Sequence, residues 1–203
     1  MIKTAIFPAV RMLVVLTVLT GIVYPLVITL AAGLFFPAQA NGSLLTVNGQ
    51  VVGSALIGQA MDSDRYFSAR PSAMVDANGT PAPYGETNDG SIVASTGSNL
   101  GPTSAALQKA MQDRIDAIRQ KYSLAADTPI PPDLIFASAS GLDPHISPAA
   151  AQLQIDRIAR VRGLTRDQVV ELVNRMTEGP QFGLFGQRRV NVLLLNLALD
   201  QVK

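Results

Sequence analysis

The chain contains no cysteine and a single histidine, and between Arg11 and Asp62 it has no charged residue. Without thiols there are no disulfides and no thiolate metal sites. One histidine among scattered carboxylates gives no ligand spacing for zinc or calcium, so no metal site is expected. No basic stripe interleaved with aromatics is present, which argues against nucleic acid as a partner. Setting Lys3 and Arg11 aside leaves 14 Lys and Arg against 15 Asp and Glu, so the rest of the chain is near neutral at −1.

The charge-free stretch includes residues 12–36 (MLVVLTVLTGIVYPLVITLAAGLFF), which are almost wholly apolar. As a helix they reach about 37 Å, against a hydrocarbon core of about 30 Å, which makes them a transmembrane segment. A cleaved export signal is the competing reading, because Ala38-Gln39-Ala40 fits a small-x-small cleavage pattern. The apolar core of such a signal is about 7–15 residues, so an uncleaved anchor is expected. Lys3 and Arg11 precede the span, and no basic residue follows it before Arg65. That bias keeps the N-terminus cytoplasmic and places the remainder outside. The expected organisation is a cytoplasmic flank 1–11, a span 12–36, a linker 37–43 and an extracytoplasmic α+β domain 44–203. A lone helix encloses no pore, and this one has no charged side chain to carry a proton or an ion. Within it Pro25 removes a backbone donor, which predicts a kink near Gly21–Tyr24. Glycines and kinks are ordinary in membrane helices, but Gly21, Tyr24 and Pro25 together also suit close approach of a partner helix.

Beyond the span, Leu44–Val47 and Gln50–Val52 around Asn48-Gly49 read as a hairpin with a type I′ turn. Residues 62–102 are rich in Gly, Ser, Pro and Asn. A stretch of that length without regular structure is either functional or disordered. Tyr66, Phe67, Arg70 and Tyr84 favour an ordered segment that faces a partner, being of the types enriched at interface centres. Leu107, Met111, Ile115, Ile118 and Tyr122 form one stripe of a helix over 103–122. Leu134–Ala137 is a candidate strand. Ser147-Pro148 opens a second helix that ends near Arg162–Gly163. Thr165-Arg-Asp-Gln168 is a capping box for a third, with Val169, Val173 and Met176 inward and an end near Glu178–Gly179. Val190–Leu197 is expected as a buried strand leading into a short helix over 197–202.

Two segments invite a chemical reading. His145 lies in Gly141-Leu-Asp143-Pro-His145-Ile-Ser147-Pro148, with Ser138 and Ser140 nearby, and could suggest a tethered hydrolase using Asp143 and His145. There is no G-x-S-x-G elbow, and Ser147 is better explained as a helix cap. Gly97-Ser-Asn-Leu-Gly101-Pro-Thr103 precedes a helix but has no lysine and no phosphate-loop spacing, so it reads as a shaped loop.

The segments Thr20-Gly-Ile-Val-Tyr-Pro-Leu26, Gly53-Ser-Ala-Leu-Ile-Gly-Gln59 and Tyr66-Phe-Ser-Ala-Arg-Pro-Ser72 occur in that order. They are followed by Gly97–Thr103, Ala137–Pro148 and Arg189-Val-Asn-Val-Leu-Leu-Leu-Asn-Leu-Ala-Leu-Asp200. Together they resemble the C subunit of the bacterial high-affinity potassium-transporting Kdp ATPase over nearly the whole length. Thr96 and Ser104 are minor departures, standing where that family often has Gly and Asn. The resemblance implies a non-catalytic subunit with three partners: a channel-like potassium subunit, a P-type ATPase subunit and a small single-pass subunit. ATP and potassium are then handled by those partners, and no cofactor is expected on this chain. The resemblance also implies a role in assembly and as a catalytic chaperone that raises the ATP affinity of the pump subunit. The topology read from charge puts the folded part away from cytoplasmic nucleotide.

Overall fold

The computed structural model describes residues 2–61, 63–74 and 94–202. By its internal contacts the chain divides into two compact units, 1–54 and 55–203.

The first unit is a long apolar helix followed by a hairpin. Helix α1 (Ile2–Val18) continues through a π-helical turn (Leu19–Val23) into α2 (Tyr24–Phe35). Residues Ala5–Phe35 are long and apolar enough to cross a membrane. The perturbation expected from Pro25 takes the form of this π turn. The Tyr24 amide skips one carbonyl and donates to Leu19 O, and Thr20 Oγ1 donates to Leu16 O at 2.7 Å. Proline has no N–H to offer the preceding turn, and a widened turn is one way a helix accommodates that loss. The segment expected as a plain linker contains a helical turn, α3 (Pro37–Ala40), closed by Asn41 Nδ2 donating to Pro37 O. Strands β1 (Leu44–Val47) and β2 (Gln50–Ser54) then pair antiparallel. Asn48 and Gly49 sit at φ 51° and 80°, as a type I′ turn requires.

Among the described residues, the second unit mixes helices with a three-stranded sheet. Its elements are α4 (Ala105–Tyr122), a 3₁₀ turn (Pro132–Leu134), β3 (His145–Ile146), α5 (Pro148–Arg162), α6 (Arg166–Arg175), β4 (Thr177–Glu178), β5 (Arg189–Asn191) and α7 (Val192–Leu199). The strands are antiparallel in the order β3-β5-β4. The core is built from Phe67, Ile146, Ile155, Ile158, Val169, Leu172, Val173, Val190, Leu195 and Leu199, with Ala150 and Ala151 allowing close packing on α5.

Helix ends follow their caps. Ser147 accepts from the Ala150 amide with Pro148 at the first helical position, and Gly163 closes α5 at φ 69°. Thr165 and Gln168 form the reciprocal capping box of α6. Three expectations are corrected. Leu134–Ala137 is no strand: Pro131-Pro132 start a 3₁₀ turn, and the Ile135 and Phe136 amides both donate to Pro132 O. Helix α6 stops at Arg175, and Thr177–Glu178 are β4 rather than a last helical turn. The strand expected over 190–197 is only three residues long. Asn191 accepts from the Leu194 amide as an N-cap, so the apolar run that follows is helical. An apolar run of that length has no periodicity that separates strand from buried helix. The 107–122 stripe is on one helix, but it is only half-buried, and of its residues only Ile118 packs against the main core among apolar side chains.

Candidate functional site

The chemistry-bearing turn 138–147 lies beside the irregular segment 63–74. Arg70 Nη1 meets Asp143 Oδ2 at 2.9 Å, and Arg70 Nη2 donates to the carbonyls of Phe136 and Ala137, both at 3.4 Å. The other carboxylate oxygen of Asp143 accepts from the His145 amide at 3.0 Å and lies 3.3 Å from His145 Nδ1. Burial pushes the Asp143 carboxyl up, but the His145 ring and amide bonds, then the charge and hydrogen bond of Arg70, outweigh it and hold the group below its ordinary value. Asp143 is thus a carboxylate that locks a turn, with Arg70 on one side and His145 on the other.

These groups line a cleft of about 790 Å³, together with Ile130, Phe136, Arg188 and Arg189. A nucleophile would have to be a serine aligned with His145. The Ser147 hydroxyl instead donates to Asp133 Oδ1 at 3.0 Å and accepts from the Ala150 amide at 3.1 Å. Asp133 Oδ2 also takes the Ser147 amide at 2.6 Å. The Ser138 hydroxyl accepts from the Asp143 amide at 3.4 Å. Each serine near the Asp143–His145 pair that has such contacts supports a turn or a helix start. The arrangement positions backbone rather than a reacting atom.

The residues expected at a partner surface separate into different environments. Phe67 has no exposed surface. Its ring belongs to the core, which removes it as a partner contact in this fold. The reason lies in its neighbours: Asn196 Oδ1 accepts from Phe67 N–H at 2.8 Å, and Asn196 Nδ2 donates to Phe67 O at 3.0 Å. Gln154 does the same for Ser68, at 2.7 Å and 3.1 Å. Two buried amide side chains from α5 and α7 thereby replace neighbouring strands and hold this segment extended. Arg157, itself buried, donates to the carbonyls of Asp64 and Tyr66 and stands 5.3 Å from the Tyr122 ring centroid. The Tyr66 hydroxyl donates to Asp200 Oδ2 at 3.1 Å, with the Arg162 guanidinium 4.8 Å from its ring centroid. Tyr66 and Arg70 therefore have internal partners while keeping part of their surface exposed. Tyr84 lies outside the described residues.

Gly21, Tyr24 and Pro25 share the π turn and the start of α2. A Cβ added at Gly21 meets nothing within 4 Å. The 97–103 loop lies against the 138–141 turn. A Cβ on Gly97 would meet Ala139 O at 2.8 Å, and Ser95 Oγ donates to Ser140 O at 2.8 Å. Ser104 caps α4 by accepting from the Leu107 amide at 3.4 Å.

The family described as KdpC, the c chain of the K⁺-transporting ATPase, matches residues 6–201. The chain belongs to the KdpC family. Among proteins it resembles is a potassium-transporting ATPase KdpC subunit of Sorangium cellulosum, 52% identical over 193 residues, covering 95% of both chains. The KdpC subunit of Burkholderia orbicola is 50% identical over 198 residues, covering 98% of this chain and 96% of that one. That of Methylococcus capsulatus is 50% identical over 196 residues, covering 97% of each. The match spans both the apolar helix and the mixed helix-and-strand unit. Arg157 and Gln154 escape sequence reading, because polar residues at helical positions read as a solvated face, and Asn196 escapes it inside an apolar run expected as a strand.

Proposed function

We propose that this chain is a non-catalytic accessory subunit of an ATP-driven potassium uptake complex, with phosphoryl chemistry confined to a P-type ATPase subunit. Its remaining partners are a channel-like potassium subunit and a small single-pass subunit, with membrane lipid around the span. The carrying observation is one membrane-length helix among the described residues, without a charged side chain in residues 12–36, joined to a folded unit whose Asp143, His145 and Ser147 serve its own turns. A single helix cannot enclose an ion path, so any influence on transport passes through contact with another subunit. The charge asymmetry about the span supports a bacterial inner-membrane location with the N-terminus cytoplasmic and residues 44–203 outside. In that topology the chain raises nucleotide affinity, as a catalytic chaperone, through the partners it grips and not by holding ATP.

Affinity purification of the tagged chain in mild detergent tests this reading. Co-elution of a P-type ATPase subunit and a multi-span potassium subunit is the expected result. A chain that elutes alone from cells expressing all subunits overturns it. The hydrolase alternative requires His145, so a His145→Ala protein that still supports growth on micromolar potassium removes it.

A further inference from the structure

The loop joining β4 to β5 displays apolar side chains that the core does not use. Phe182 is 90% exposed, Leu184 75% and Phe185 63%. The loop is nonetheless closely tied. Gln181 and Phe185 exchange both backbone hydrogen bonds, at 2.7 and 2.9 Å, and the Gly183 and Leu184 amides donate to Pro180 O and Gln181 O. Phe182 is held at φ 56°, a left-handed conformation that disfavours a bulky side chain. Such a segment is preorganised to present two aromatic rings and a leucine on a point rather than to fold them away.

We propose that this tip inserts into the interfacial zone of a lipid bilayer. Three side chains on a narrow turn form a wedge, far short of the roughly 800 Å² per side of a stable protein interface. The charges behind the wedge also suit lipid. Arg188 is exposed and makes no ion pair among the described residues, while Arg189 pairs with Glu178 at 3.0 Å. No acidic residue intervenes between Glu178 and Asp200. An arginine just behind an apolar tip reaches lipid phosphates while aromatic rings occupy the headgroup boundary, their preferred depth. The same chain carries a membrane-length helix, so an apolar phase is always at hand.

The sequence has no tryptophan, so Phe182→Trp introduces the only indole. The purified full chain, without partner subunits, is reconstituted in phosphatidylcholine–phosphatidylglycerol vesicles. Its emission is recorded with and without lipids brominated near the headgroup end of the acyl chain. We expect a shift to shorter wavelength than a water-exposed indole and loss of most intensity to the brominated lipid. An Ala117→Trp control, on the exposed side of α4, keeps water-like emission and is not quenched. Phe185→Trp decides the matter if the first variant loses its native circular dichroism. Water-like, unquenched emission from the loop variants overturns the proposal. Shielding that emerges only when partner subunits are added also overturns it, and marks the tip as a protein docking point.

Discussion

Asp143 is held by opposing influences whose balance sets a pH dependence. Burial raises its pKa, while His145 and then Arg70 lower it further, leaving it below the ordinary 3.8. A depressed folded-state pKa means the stabilisation is present above the ordinary value and is lost as pH falls through the depressed one. The melting-temperature gap between the native chain and Asp143→Asn is therefore expected to narrow from neutral pH to about pH 3, read by thermal denaturation in detergent. A gap that stays constant would mean the charge of Asp143 adds nothing to the turn. Asn196 is expected to matter more. Replacing it with Leu strands the buried amide and carbonyl of Phe67, at a cost of about 2–4 kcal/mol. Denaturant titration measures this, and a loss below about 1 kcal/mol would show that the segment finds other partners. The same contacts revise what Tyr66 and Arg70 do. Their composition suggests a partner surface, whereas Asp200, Arg162, Asp143 and two carbonyls engage them internally. Substituting them is expected to lower the stability of the chain as well as any contact they make.

Among the elements, legibility followed how local the determining chemistry is. Asn48-Gly49, Ser147-Pro148 and Thr165–Gln168 act over two to four residues, and each turn or helix start is where the sequence places it. Leu134–Ala137 and Val190–Leu197 are short apolar runs whose state is decided by packing and by a single cap at Asn191, so their type was not readable. The Asp143–His145 turn was visible as a motif. Its ion pair with Arg70, 73 residues away, was not. In the long apolar helix the π turn has a geometric effect. One extra residue in the turn rotates the faces of α2 by about 100° relative to those of α1. Gly21 sits inside this turn with open space around it, so Gly21→Leu leaves the chain's own packing intact. It is expected to reduce co-purification of partner subunits several-fold, whereas Leu16→Ala has little effect. Equal yields from the two variants would remove Gly21 from the proposed interface.

For the whole molecule, the proposed topology is tested by protease. Residues 44–203 are expected to resist protease added to intact cells and to be digested in right-side-out spheroplasts, because Lys3 and Arg11 oppose an uncharged far flank. Digestion in inside-out vesicles with none in spheroplasts would reverse the topology and bring the folded unit to cytoplasmic nucleotide. The amide clamp on Phe67 and Ser68 has a further consequence, for the order of events during synthesis. Phe67 emerges 129 residues before the Asn196 side chain that satisfies its backbone. At typical elongation rates that interval is on the order of ten seconds. Gln154 and Arg157 of α5 arrive earlier and can take Asp64, Tyr66 and Ser68, but the Phe67 amide and carbonyl wait for α7. An interruption of synthesis before α7 therefore leaves the backbone of Phe67, at the centre of the Tyr66–Ser68 strip, without the side chain that satisfies it.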